Sequence, residues 1–64
     1  MQPHQQRVVE EKNELDEKLS KLSAFIDNSE LFFKLSEEDQ DLLGRQEDIM
    51  KKYSQVLRER IQLF

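Results

Sequence analysis

Apolar residues recur along this chain at intervals of three and four. In its first part they fall at Val8, Leu15, Leu19, Leu22 and Ile26, a heptad seam interrupted at Lys12. So narrow a seam predicts a helix over about 3–26 that a single neighbour can cover. Pro3 suits the first helical turn, where its missing N–H costs nothing. Glu14–Lys18 and Glu17–Lys21 stand four apart off the seam, a spacing at which opposite charges support a helix. The pattern breaks at Asp27-Asn28-Ser29, three residues that favour turns and caps, and a connection is predicted over about 27–36. Within it Ser29 can cap a short helical turn, Glu30 to Leu35, that carries Leu31, Phe32 and Phe33. Ser36-Glu37-Glu38-Asp39 resembles a capping box and opens a second helix over about 37–63. Its apolar residues fill two adjacent heptad columns, Leu42/Ile49/Val56/Leu63 and Leu43/Met50/Leu57/Phe64, and Tyr53 and Ile61 widen the stripe.

The second stripe is broader than the first helix can cover. The pattern therefore predicts an all-α fold: one domain over residues 1–64, an antiparallel two-helix hairpin with a short connecting helical turn. The hairpin is expected to oligomerise through its second helix. The alternative is a small monomeric core closed by Phe25, Phe32 and Phe33 folding back over that helix. Size favours the oligomer. A core below roughly 70–80 residues seldom supplies more than about 3–5 kcal/mol without a staple. This chain of 64 residues has no cysteine for a disulfide and one histidine, too few for a metal site. Gly44 inside the second helical pattern costs about 1 kcal/mol relative to alanine; it marks either the helix start or a point where another helix packs closely. The longest apolar runs are three residues, Ala24-Phe25-Ile26 and Leu31-Phe32-Phe33, against about 20 for a membrane span. The polar start, Met1-Gln2-Pro3-His4-Gln5-Gln6, does not read as a signal peptide. A soluble, cytoplasmic protein is the expectation.

Charge is unevenly laid out. The net charge is −4, yet residues 27–48 hold eight acids and two bases, and residues 49–64 hold four bases and one acid. Proteins that track duplex phosphate carry a basic face and a high pI; a pI near 4.9 argues against a duplex nucleic-acid partner. A small anion at the basic end fits the layout better.

Catalysis has little to stand on. His4 is the only histidine, and Ser20, Ser23, Ser29, Ser36 and Ser54 have no base that the sequence places beside them. Gly44 alone makes no phosphate-cradling loop. The chain reads as a non-enzyme without cofactor or metal. Lys12 is the more telling residue, because it fills a seam position that should be apolar. Such a residue sets register and oligomer state at a cost in stability, or it is a cation facing a cavity between helices. A turn centred in 27–36 puts Lys12 level with roughly residues 50–54, and so with Tyr53. A lysine and an aromatic ring together can hold a phosphate and stack a base. The same pairing groups Arg58 and Arg60 with His4 and Arg7. Guanidinium forks match phosphate oxygens bidentately, and near a symmetry axis Arg60, at the edge of the stripe, becomes a ring of arginines. Surface pairing with Glu59, Glu10 or Glu11 is the plainer use of these arginines.

The opening Pro3-His4-Gln5-Gln6-Arg7-Val8, followed by Glu11-Lys12, Leu15-Asp16 and Lys18, resembles a group of very small phage proteins. The later Gln46, Met50, Tyr53-Ser54, Leu57 and Arg60-Ile61 extend the likeness over nearly the whole chain. They are similar to the helical-hairpin domain of phage cyclic-nucleotide sponges, the anti-CBASS and anti-Thoeris proteins. The resemblance implies a hairpin assembling as a hexamer or similar oligomer. It also implies binding, without cleavage, of cyclic oligonucleotide or cyclic ADP-ribose-type signals, which starves a host immune effector. Sponges for cyclic dinucleotides use a tyrosine and a lysine in the N-terminal half. The lysine matches Lys18 or Lys12, whereas no tyrosine lies in this N-terminal half and His4 would stand in its place. Arginines of a cyclic-trinucleotide pocket have counterparts in Arg58 and Arg60. The function expected is sequestration of a cyclic di- or trinucleotide by a homo-oligomer. The alternatives are a structural or adaptor coiled-coil protein binding itself or a host protein, and a nucleic-acid-binding regulator.

Overall fold

The computed structural model describes all of residues 1–64 and contains three helices and no strand. Helix α1 spans Pro3–Asn28, α2 spans Glu30–Lys34 and α3 spans Glu37–Gln62. The molecule is a rod of 45 × 15 × 14 Å. That length is little more than one 26-residue helix, about 39 Å, so α1 and α3 lie side by side with the chain reversing between them.

Local chemistry sets the ends of each helix. At the start of α1 the Gln2 N–H donates to Gln5 Oε1 at 2.9 Å, satisfying a donor that has no helical partner. The expected break at Asp27-Asn28-Ser29 is narrower than those residue types suggest. Helix α1 runs through Asn28, two residues past Ile26, and only Ser29 leaves helical geometry (φ −92°, ψ 127°). Ser29 serves both sides of the break. Its N–H donates to the Phe25 carbonyl at 3.2 Å, while its Oγ accepts from the Leu31 N–H at 3.2 Å and starts α2. Ser36 caps α3 through an Oγ that accepts from the Asp39 N–H at 3.1 Å. Three acids follow in the first turn, Glu37, Glu38 and Asp39, where the helix dipole favours negative charge. Gln40 fastens the second corner, since its Nε2 donates to the Leu35 carbonyl at 3.0 Å.

The interior of this rod is thin. Val8, Phe32 and Leu57 are the only buried residues, and Leu57 alone is fully enclosed. Phe32 meets Phe25 edge-on at 6.0 Å, which closes the α2 end of the rod. Phe33, by contrast, points into water, so the aromatic trio does not fold back as a unit over α3.

Helix α3 turns one of its two apolar columns inward. Leu43, Met50 and Leu57, with Ile61, lie in its shielded row, together with the polar Glu47 and Ser54. The other column is left in water: Leu42 is 57% exposed, Ile49 64%, Val56 51% and Leu63 87%, and Tyr53 beside them 43%. Gly44 is neither at the helix start nor at a close approach within the chain, for an added Cβ there would meet nothing within 4 Å.

Candidate functional site

A single long-range polar bond fixes the alignment of the two long helices. Ser54 Oγ donates to Asp16 Oδ1 at 2.5 Å, and Lys12 Nζ sits 2.5 Å from the other carboxylate oxygen. Asp16 is thus held between a cation one turn earlier and a hydroxyl on the facing helix. This alignment departs from the one expected from the turn. The chain spends α2 and Ser36 before α3 begins, so the reversal is centred later than the middle of 27–36. Lys12 therefore lies level with about Arg58 rather than with 50–54, and Tyr53 lies level with Glu17, within one residue of Lys18.

Lys12 itself keeps its seam position, but its ammonium belongs to Asp16 and its side chain is only 22% exposed. The single chain holds no pocket, so the cavity that one of the two readings of Lys12 required is absent there. The first cause of a lowered Asp16 pKa is the hydrogen bond from Lys12, and the second is that from Ser54; burial opposes both weakly. Depression below the ordinary 3.8 means that this contact is present above that value and lost as pH falls through the lower folded-state one. Asp16→Asn is therefore expected to melt a few degrees below the parent at pH 6, a partly exposed pair being worth about 0.2–1 kcal/mol, and the gap should close as pH falls below the ordinary 3.8. Melting curves by circular dichroism across that range test this. A gap independent of pH would show that the carboxylate charge is not what matters.

Helical phase then sorts the other candidates. Successive residues advance by about 100° in a right-handed sense, and Asp16 marks the flank of the α1 seam that faces Ser54. Continuing past Ser54 around α3, Lys51 and Arg58 lie on that same flank. The opposite flank carries His4, Lys18 and, further round, Arg7 from α1. Tyr53, Arg60 and the exposed apolar column of α3 lie beside them. All five of these candidates, His4, Arg7, Lys18, Tyr53 and Arg60, are exposed. Lys12 and Arg58 are not brought to them.

The ion pairs fall on both flanks. Lys21 is 3.4 Å from Glu17, Arg45 2.7 Å from Asp41 and Lys51 3.7 Å from Glu47, each one helical turn apart. The matching Glu14–Lys18 pair does not form, and no carboxylate lies within 4.0 Å of Lys18, Arg7, Arg58 or Arg60. The flank that holds Tyr53 thus presents three unpaired cations, Arg7, Lys18 and Arg60, and an aromatic ring next to an apolar stripe. Sequence reasoning missed Asp16 and Ser54 as the pair that sets the alignment. Their signal was present, since both flank apolar seams at heptad spacing, but an aspartate and a serine there read as solvent-facing. No group of three or more potential metal ligands occurs, and no helix is long and apolar enough to cross a membrane.

A small all-helical chain with a thin interior, one uncovered apolar helix face and unpaired cations beside it has the make-up of a binding protein. The family model for Sequestin matches residues 2–63, and the chain belongs to that family. No curated protein and no solved structure matches it.

Proposed function

We propose that this chain is a non-enzymatic sequestering protein that binds a small cyclic nucleotide signal in a pocket formed between copies of itself. The observation that carries the reading is the placement of Lys18 within one residue of the level of Tyr53. Both lie on the face that also holds Arg7, Arg60 and the uncovered stripe, and the cations there have no carboxylate partner. A cation and an aromatic ring at nearly one level suit a nucleotide, phosphate to ammonium and base to ring. A rod 15 Å thick has no room to enclose such a ligand alone, so a second copy has to supply the far wall. The family's name, Sequestin, supports the sequestering part of this reading. The resemblance to phage anti-CBASS and anti-Thoeris sponges supplies the ligand class and the setting, the cytoplasm of an infected cell. The mechanism is affinity: held ligand is withheld from the host effector.

A panel of cyclic di- and trinucleotides and cyclic ADP-ribose-type molecules tests this by thermal melting. Ligand that binds only the native state at 100 times its Kd stabilises by about 2.7 kcal/mol. At about 4–8 °C per kcal/mol for a domain this small, the expected shift is roughly 10–20 °C. Lys18→Ala should remove most of that shift while leaving the mass of the assembly unchanged, and the ligand should be recovered intact on denaturation. No shift with any member at several hundred micromolar overturns the proposal, and a cleaved product overturns its non-enzymatic part. The second reading, an adaptor that binds a host protein helix through the stripe of Leu42, Ile49, Val56 and Leu63, is favoured by the exposure of that stripe. It gains if the chain stays monomeric and no nucleotide shifts its melting.

A further inference from the structure

We infer that two copies pair α3 against α3 in opposite directions, about a twofold axis that passes beside Tyr53. The inference rests on the self-association invoked above and specifies its geometry. Helix α3 is the element with a face to spare. Its inward row is spent on α1, and the column Leu42, Ile49, Val56 and Leu63, with Tyr53 alongside, runs its length in water. An exposed apolar stripe of this extent on a small protein marks an association surface.

Charge chooses the occupant and its direction. Residues 37–48 of α3 hold six acids and one base, and residues 49–64 hold four bases and one acid. Parallel pairing would set the acidic half against an acidic half and the basic against a basic. Antiparallel pairing sets each acidic half against a basic one and also opposes the helix dipoles. A host helix would have to carry this same gradient by coincidence, whereas a second copy carries it necessarily. The apolar column is symmetric in the same sense. Leu42 and Leu63 are its ends and Ile49 and Val56 its inner pair, so full overlap brings Leu42 to the second copy's Leu63 and Ile49 to its Val56. The centre of that overlap falls at residues 52–53. On one flank this overlap sets Arg45 opposite Glu59 of the second copy and Lys52 near its own symmetry mate, and on the other it sets Gln46 opposite Arg60. Because Lys18 is within one residue of the level of Tyr53 on this same side, the axis brings two lysines and two tyrosines together. The ligand-binding face thereby becomes a twofold-symmetric one, built from both copies.

Disulfide trapping tests this directly, because the chain has no cysteine of its own. Bridging requires Cα atoms about 4.4–6.8 Å apart. Under mild oxidation Tyr53→Cys should cross-link with itself. Leu42→Cys and Leu63→Cys should each stay largely monomeric alone but cross-link when mixed. Self-linking of Leu42→Cys and of Leu63→Cys without mixed product would establish parallel pairing and overturn the inference. An assembly by light scattering at tens of micromolar with no cross-link in any combination would overturn it too, placing the interface on another face. A monomeric mass for the unmodified protein would instead remove the self-association on which it rests. Circular dichroism of each variant establishes that the helices are intact.

Discussion

Leu57→Ala should unfold this chain or come close to it. Leu57 is the one residue with no solvent exposure, set in the inward row of α3 against α1. Truncating a buried leucine to alanine costs about 2–5 kcal/mol, because transfer energy is lost and a cavity remains. A core in a chain of this length seldom supplies more than about 3–5 kcal/mol, so the substitution removes most of what there is. The melting midpoint is expected to fall by about 10 °C or more, read by circular dichroism at a fixed protein concentration. Leu63→Ala is the paired control, 87% exposed in the single chain, and in dilute solution it should melt within a few degrees of the parent. A Leu57→Ala midpoint as close to the parent as that of the control would mean that the interior described here does not hold the fold.

The opposite signature is expected from Ile49→Glu combined with Val56→Glu. Both side chains are exposed in the single chain, where surface changes are usually worth no more than about 0.5 kcal/mol. In an α3–α3 interface the same two carboxylates are buried next to their symmetry mates. Leaving an uncompensated charge buried costs about 3–5 kcal/mol, which corresponds to at least a hundredfold weaker association. Light scattering across a dilution series should show a monomer where the parent is assembled, with helical content retained. The nucleotide-induced melting shift should disappear with the assembly, since the proposed site needs both copies. An unchanged mass would clear this face of α3 of any part in self-association.

The contrast between these two sets of residues shows how far the chain can be read without its structure. Leu57 and Val56 are neighbours in adjacent columns of one stripe, and periodicity marks both as apolar helix-face positions. The helices and their caps were legible because each depends on residues three or four apart: Ser36 with Asp39, Val8 with Leu15 and Leu19 on one seam. The candidate face was legible only as a roster. His4, Arg7, Lys18, Tyr53 and Arg60 could be named as cations and rings, but so could Lys12 and Arg58. What separates them is helical phase relative to a partner, and that needs the alignment of α1 on α3. The ion pairs show the same limit. Glu14–Lys18 and Glu17–Lys21 have identical spacing, yet only the second closes, and Lys18 is left without a carboxylate partner.

By itself the sequence determined the three helical segments, the narrow seam of α1, the doubled stripe of α3 and the gradient of charge along it. All of these are set by local spacing and composition. Tertiary structure decided which column of α3 meets α1, that Lys12 is spent on Asp16, and that Tyr53 and Lys18 fall within one residue of the same level. The reason is that a heptad pattern looks the same after a slip of one repeat, so periodicity leaves the register of two helices undetermined. Here the register is set by the residues that α2 consumes in the turn and by one bond between side chains 38 positions apart, Ser54 to Asp16.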